Sequence, residues 1–159
     1  MKITLICVGK IKESFYKAAV SEYAKRLGRY CRLEIIELQD EKTPDGAGEA
    51  LEEQIREREG DRILKCIKED ACVITLEING EKSDSIGFAH LINNLAVSGK
   101  SHIQFIIGGS LGLSPKVSKA AQKAISFSDM TFPHQLMRVI LLEQVYRGFR
   151  IMKGEPYHK

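Results

Sequence analysis

No run of apolar residues in this chain approaches the roughly 18 needed to cross a bilayer, so nothing in it reads as a membrane-spanning helix. The stretch Ile3 to Val8 follows a single lysine, and no small-residue cleavage site comes after it. It therefore reads as a first β-strand and not as a leader, and a cytoplasmic location is expected. The four cysteines, Cys7, Cys31, Cys66 and Cys72, show no C-x-x-C spacing, which removes the usual redox and zinc-ribbon signatures and leaves buried, reduced thiols. Four scattered histidines with no H-x-x-x-H pair give no reason to expect a metal. There is no internal repeat and no low-complexity segment. A formal net charge of +3 is too small to argue by itself for a nucleic-acid partner.

What is present fits one domain, 1–159, since domains cluster near 100–150 residues. Strand-like and helix-like segments alternate throughout. Ile3 to Val8, Leu33 to Leu38, Cys72 to Ile78, Ile103 to Ile107 and Ala124 to Phe127 read as strands. Ile11, Phe15, Ala18, Ala19, Tyr23 and Leu27 follow helical spacing, with Gly28 as the stop. Leu51, Ile55, Ile63, Cys66 and Ile67 mark a second helix in which Gly60 is a weak point. Asn79-Gly80 is expected to turn the chain, and Ser83 or Ser85 to cap the next helix, which Gly99 ends. Ser114-Pro115 opens another helix, and Pro133 to Met152 forms the last. Residues 41–50 read as a mobile surface loop. Strands separated by helices imply an α/β fold with a parallel sheet covered on both faces.

Charge and apolarity are unevenly spread. Residues 41–61 hold eight acidic and three basic side chains, whereas 133–159 hold five basic (Arg138, Arg147, Arg150, Lys153, Lys159) and two acidic. The basic end is either a local phosphate attractor or a solvated helix end that complements its dipole. The last helix carries Leu136, Met137, Val139, Ile140, Leu141, Leu142, Val145, Tyr146 and Phe149, more than one stripe. An identical second subunit is the simplest partner for the excess, and burial within the monomer is the alternative.

In open α/β sheets ligands gather at the carboxyl ends of strands. Three such ends stand out: Leu76-Glu77-Ile78-Asn79-Gly80, Gly108-Gly109-Ser110-Leu111-Gly112, and Phe127 to Phe132. Residues Ser126 to Thr131 place three hydroxyls and one carboxylate between Phe127 and Phe132, a setting suited to a flat polar ligand such as a nucleoside. The glycine turn lacks the lysine and following Ser/Thr of a P-loop. After the first strand stands only Val8-Gly9-Lys10, so a standard nicotinamide site is disfavoured. Gly108-Gly109-Ser110-Leu111-Gly112 has the spacing of G-x-S-x-G, and Asp129 and His134 follow in hydrolase order, but the chain is short for that fold.

The runs Phe105-Ile-Ile-Gly-Gly-Ser-Leu-Gly-Leu113, Ser126-Phe-Ser-Asp-Met-Thr-Phe-Pro-His-Gln-Leu-Met-Arg138 and Gly154-Glu-Pro-Tyr-His-Lys159 resemble the ribosomal RNA large subunit methyltransferase H family, of the SPOUT class. The resemblance spans the whole length and is weakest at 41–50. It implies a C-terminal trefoil knot at about 103–159, which no periodicity would have suggested because knots are very rare. It implies a homodimer and S-adenosyl-L-methionine as cofactor. It also implies methylation of N3 of a pseudouridine in 23S ribosomal RNA, on assembled ribosomes. Cofactor contacts carry over to Leu76, Gly108, Phe127, Ser128, Asp129, Met130, Thr131 and Phe132. His158 and Tyr157 are the catalytic candidates, His158 as proton acceptor or phosphate contact and Tyr157 against the target base. His134 is either a second acceptor or structural. Arg138 and Lys159 are candidates for RNA contact. The same alternation of elements also permits a flavodoxin-like nucleotide-binding protein, and a ribosome-associated factor without chemistry is a third reading.

Overall fold

A computed structural model describes Met1–Lys159. Five strands alternate with five helices: β1 (Lys2–Val8), α1 (Ser14–Leu27), β2 (Arg32–Leu38), α2 (Glu49–Leu64), β3 (Cys72–Lys82), α3 (Ser85–Val97), β4 (His102–Ile107), α4 (Pro115–Ala120), β5 (Lys123–Ser126) and α5 (His134–Met152). All strands pair in parallel, in the order β2-β1-β4-β3-β5. This is the α/β architecture expected from the alternation.

The central strands β1 and β4 are buried along almost their whole length and mostly apolar because both faces are covered. Side chains alternate across the sheet with the strand period of two. Ile3, Leu5, Cys7, Ile74, Phe105 and Ile107 meet Leu27 of α1, Phe88 and Ile92 of α3, and Leu141, Val145 and Phe149 of α5. Ile6, Val8, Val73 and Ile106 meet Ile63 of α2 and Val117 of α4 on the other face. Cys7 and Cys31 are buried, and burial pushes their thiols up to about 12 and about 11, so neither is a ready nucleophile.

Several local expectations change. Asn79-Gly80 does not end β3. The strand bulges after Leu76 and resumes at Glu81, and both of these residues pair with Ile125. Gly80 sits where a Cβ would lie 2.5 Å from the Ile125 carbonyl carbon, so only glycine lets the bulge close against β5. The cap of α3 is Asp84, whose carboxylate accepts from Gly87 N at 2.7 Å, and neither Ser83 nor Ser85 fills that position. Ile11 precedes α1, and Cys66 and Ile67 lie beyond α2. Gly60 is not a weak point but a contact: a Cβ there would lie 2.3 Å from Ser114 Oγ, so α2 rests directly on the start of α4. The 41–50 loop is fastened at its start, where Glu41 N donates to the buried Glu59 at 2.9 Å and Arg62 bonds both Glu41 and the Gln39 carbonyl.

The last helix packs between α1 and α3. Its excess of apolar surface divides as follows: Leu141, Leu142, Val145 and Phe149 are buried, while Leu136, Val139, Ile140 and Tyr146 stay partly exposed. Replacing Gly80 by Val is expected to cost about 1–3 kcal/mol of unfolding free energy, as forced overpacking does. Gly48→Ala, where a Cβ meets nothing within 4 Å but the residue caps α2, should cost no more than about 1 kcal/mol in the same denaturant titration.

Candidate functional site

The carboxyl ends of β3, β4 and β5 enclose one cavity of about 760 Å³, in the size range of small-molecule sites. Its walls are the β3 bulge (Leu76 to Asn79), the turn Gly108 to Leu113, and the segment Ile125 to His134 without Asp129; Ile107 and Met137 also line it. The glycine turn is tightened by Gly112 N donating to the Gly109 carbonyl at 3.1 Å, with Gly112 at a positive φ of 78°. A Cβ on Gly108 would come within 2.9 Å of the Gly112 carbonyl carbon, so this backbone has no room for a side chain. After β5, Ser126 Oγ donates to the Ser128 carbonyl at 3.1 Å and Met130 N donates to Ser128 Oγ at 2.9 Å. These two bonds hold a polar turn in shape (an ST-type motif). The Phe127 ring stands edge-on to Phe88 at 5.5 Å, which anchors the turn to the core. Met130 is 72% exposed at the cavity's edge.

Seven of the eight residues expected to touch a cofactor therefore line one cavity: Leu76, Gly108, Phe127, Ser128, Met130, Thr131 and Phe132. The side chain of Asp129 does not join them, because it is 73% exposed and pairs with Lys82 at 2.7 Å. Glu77 stands in one of the three strand ends picked out by sequence, where no role is expected of it. Thr75 Oγ1 donates to its carboxylate at 2.6 Å and Ser118 Oγ at 3.1 Å, and it faces the cavity. The available signal was an acidic residue in the strand phase of Val73 and Thr75, where the apolar pattern breaks. The hydrolase reading finds no nucleophile–base pair: Asp129 is taken by Lys82, and Ser110 makes no side-chain hydrogen bond to His134. No three His, Cys, Asp or Glu side chains converge where they would share a cation.

A family model described as "Predicted SPOUT methyltransferase" matches residues 1–158. The chain belongs to the SPOUT methyltransferases. Within that class it falls in the ribosomal RNA large subunit methyltransferase H family. The protein of that name from Clostridium tetani is 60% identical over 159 residues, all of both chains. Those from Bifidobacterium adolescentis and Clostridium kluyveri are 60% and 59% identical, again over the full length of each.

The remaining SPOUT site candidates lie apart from the cavity. Arg138 is 1% exposed; its Nη1 donates to Glu37 at 2.7 Å, and its Nη2 donates to the Val8 and Gly9 carbonyls at 3.0 and 2.7 Å. It ties the end of β1 to α5 and borders a separate, smaller cleft of about 310 Å³ under α1. The expectation that it meets RNA phosphate is corrected by this burial. The basic C-terminal region is also largely neutralised within the chain, since Arg138, Arg147 and Arg150 each pair with a glutamate, at 2.7, 2.6 and 2.5 Å. Lys153 and Lys159 make no ion pair. Tyr157 donates to Glu143 at 3.2 Å, stands edge-on to Tyr146 at 4.9 Å and carries the Arg147 guanidinium 4.7 Å above its ring. Burial, then the neighbouring Tyr23 hydroxyl, pushes its phenol up to about 12. His158 Nδ1 lies 3.4 Å from Arg147 Nη1. Tyr157 and His158 lie against the Glu143–Arg147 stretch of α5 and are not among the residues that line the chain's own cavity.

His134 does line the cavity, beside Gly9. Burial first, and then the Arg138 guanidinium, hold its imidazole below the usual histidine range, so it is neutral at pH 7. A histidine with a depressed folded pKa favours the folded state fully above about pH 6.5, its unfolded value, and that contribution is lost as pH falls toward the folded value. The melting temperature of His134→Gln should accordingly fall less than that of the wild type between pH 7 and pH 5. Arg138→Met, which removes the buried tie between β1 and α5, should lower unfolding free energy by about 3 kcal/mol in urea titration.

Proposed function

We propose that the chain transfers a methyl group from S-adenosyl-L-methionine to N3 of a pseudouridine in the 23S ribosomal RNA of the large subunit, acting on assembled ribosomes as a homodimer. The observation that carries the choice of cofactor is the charge of the cavity. Its lining holds no lysine or arginine and one carboxylate, Glu77. A dinucleotide or flavin nucleotide brings phosphates that favour cationic side chains, of which this lining has none, whereas a phosphate-free nucleoside does not need them. Apolar walls from Leu76, Ile107, Ile125 and Met137 suit an adenine face, and the backbone of the 127–132 segment suits its polar edge. Gly108, with no space for a Cβ, lets main chain come against such a ligand.

S-adenosylmethionine, when bound, supplies a methyl carbon already activated by a sulfonium. The chain's task is alignment and proton management. Well-oriented geometry supplies roughly 7–11 kcal/mol of such a barrier. The imide nitrogen must lose its proton as the methyl arrives, so an acceptor is needed near the base. Neutral His134 on the cavity wall and His158 in the tail are the candidates, and Tyr157 is the candidate to stack on or hydrogen-bond to the target base. Because a chain's own tail lies along the Glu143–Arg147 stretch of α5, the tail that completes each site comes from the second copy. The partly exposed Leu136, Val139 and Ile140 of α5 and the 63% exposed Phe15 of α1 are the apolar surfaces such a copy would cover. The C-terminal trefoil knot that the family resemblance implies belongs to this reading too.

With net charge +3 and three of its C-terminal arginines already paired, the protein has little cationic surface for naked RNA. Folded ribosomal context supplies the recognition. Methyl-tritiated S-adenosylmethionine should label one pseudouridine in intact ribosomes and label an isolated hairpin at least about tenfold more slowly, a difference of about 1.4 kcal/mol. Tight cofactor binding with no label in any ribosomal RNA would instead favour a non-catalytic ribosome factor, and a thermal shift with flavin mononucleotide alone would favour the flavodoxin-like reading.

A further inference from the structure

Glu77 is an unusual carboxylate for this molecule. Its neighbours in the fold are neutralised: Glu81 pairs with Lys123 at 3.3 Å, Asp129 with Lys82 at 2.7 Å, and Glu57 and Asp61 both with Lys116 at 2.7 Å. Glu77 has no ion pair. It is held only by two neutral hydroxyls, Thr75 Oγ1, fully buried beneath it, on Oε1 and Ser118 Oγ from α4 on Oε2. A hydroxyl orients a carboxylate without cancelling its charge, and each oxygen keeps a lone pair for another donor. The bulge at Leu76–Glu81, closed against Ile125 by Gly80, is what sets this group in the cavity wall. No lysine or arginine lines the same cavity, and burial keeps His134 neutral, so Glu77 is its one charged side chain.

We infer that Glu77 is a specificity-determining residue that sets the balance between methyl donor and spent product by attracting the donor's sulfonium charge. The inference rests on the reading of the site as an S-adenosylmethionine pocket. The donor and its thioether product share adenine, ribose and amino-acid parts, and they differ by one methyl and one positive charge at sulfur. The uncharged product gains nothing from the carboxylate at that atom. At an effective dielectric near 20, a unit charge a few ångströms from a carboxylate gains enough to be worth about tenfold or more in binding. Loss of that attraction on methyl transfer frees the pocket for exchange.

The test is calorimetric binding of S-adenosylmethionine, S-adenosylhomocysteine and sinefungin, whose amine carries a positive charge near the sulfonium position, to the full-length protein. In Glu77→Gln, affinity for the two cationic ligands should fall about tenfold while affinity for the neutral thioether changes less than about twofold. Glu77→Asp disturbs the Thr75 and Ser118 bonds as well but keeps the charge, so it should preserve the wild-type ratio of donor to product affinity. Melting temperatures of both ligand-free variants report whether the fold survives. Equal losses for all three ligands, or no loss for any, would overturn the inference while leaving the cofactor reading in place. A wild-type protein that binds none of the three would overturn the cofactor reading itself.

Discussion

The contact between the β3 bulge and the backbone of β5 is the constraint on which the cavity depends. Parallel pairing of the two strands is uninterrupted up to Leu76 and Ile125, then slips so that Glu81 also faces Ile125. The intervening residues are displaced to the end of the sheet, and a Cβ at Gly80 would meet Ile125 and Ala124 main-chain atoms at 2.5 to 2.8 Å. Without that approach Glu81 and Lys82 would not pair with Ile125 and Ser126, and the end of β5, from which the polar turn springs, would lose its second hold on β3. One wall of the cavity, including its only carboxylate, is made of the bulge itself.

A second constraint acts at a distance from the ligand. Arg138 spends its guanidinium on the end of β1 and on Glu37, and Glu37 also accepts from Ile11 N at 3.1 Å. Gln135 accepts from Lys12 N at 2.9 Å. The start of α5 is thereby locked to the loop after β1, which fixes His134 in the cavity wall. The middle of the same helix holds the tail through Glu143, Tyr146 and Arg147, outside the lining of the pocket at its start. On the proposed reading, the cavity of one copy would be completed by the tail of a second.

Much of this was legible in the residues. The buried strands announced themselves as unbroken apolar runs, and the three strand ends that form the cavity were all visible as breaks in that pattern. The bulge was not, because Asn79-Gly80 carries ordinary turn chemistry and only the β5 backbone, brought there by the fold, shows that glycine is needed for contact. Gly60 misled for the same reason: helix propensity is a local quantity, and Ser114 is a tertiary neighbour. Arginines are read as surface charge by default, yet Arg138, Arg147 and Arg150 find glutamates that sequence spacing pairs only in the case of Glu143 and Arg147. The tail motif gave its chemistry but not its place, which depends on how far α5 runs before the chain turns back.

On the proposed reading a methyl donor sits among three turns at one end of the parallel sheet. Amide hydrogen exchange of the full-length protein, with and without saturating S-adenosylmethionine, tests this most directly. Protection should rise at residues 76–80, 108–113 and 126–134 together, with the amides around the smaller cleft under α1 unchanged. Protection confined to the α1 cleft, or to only one of the three turns, would contradict it.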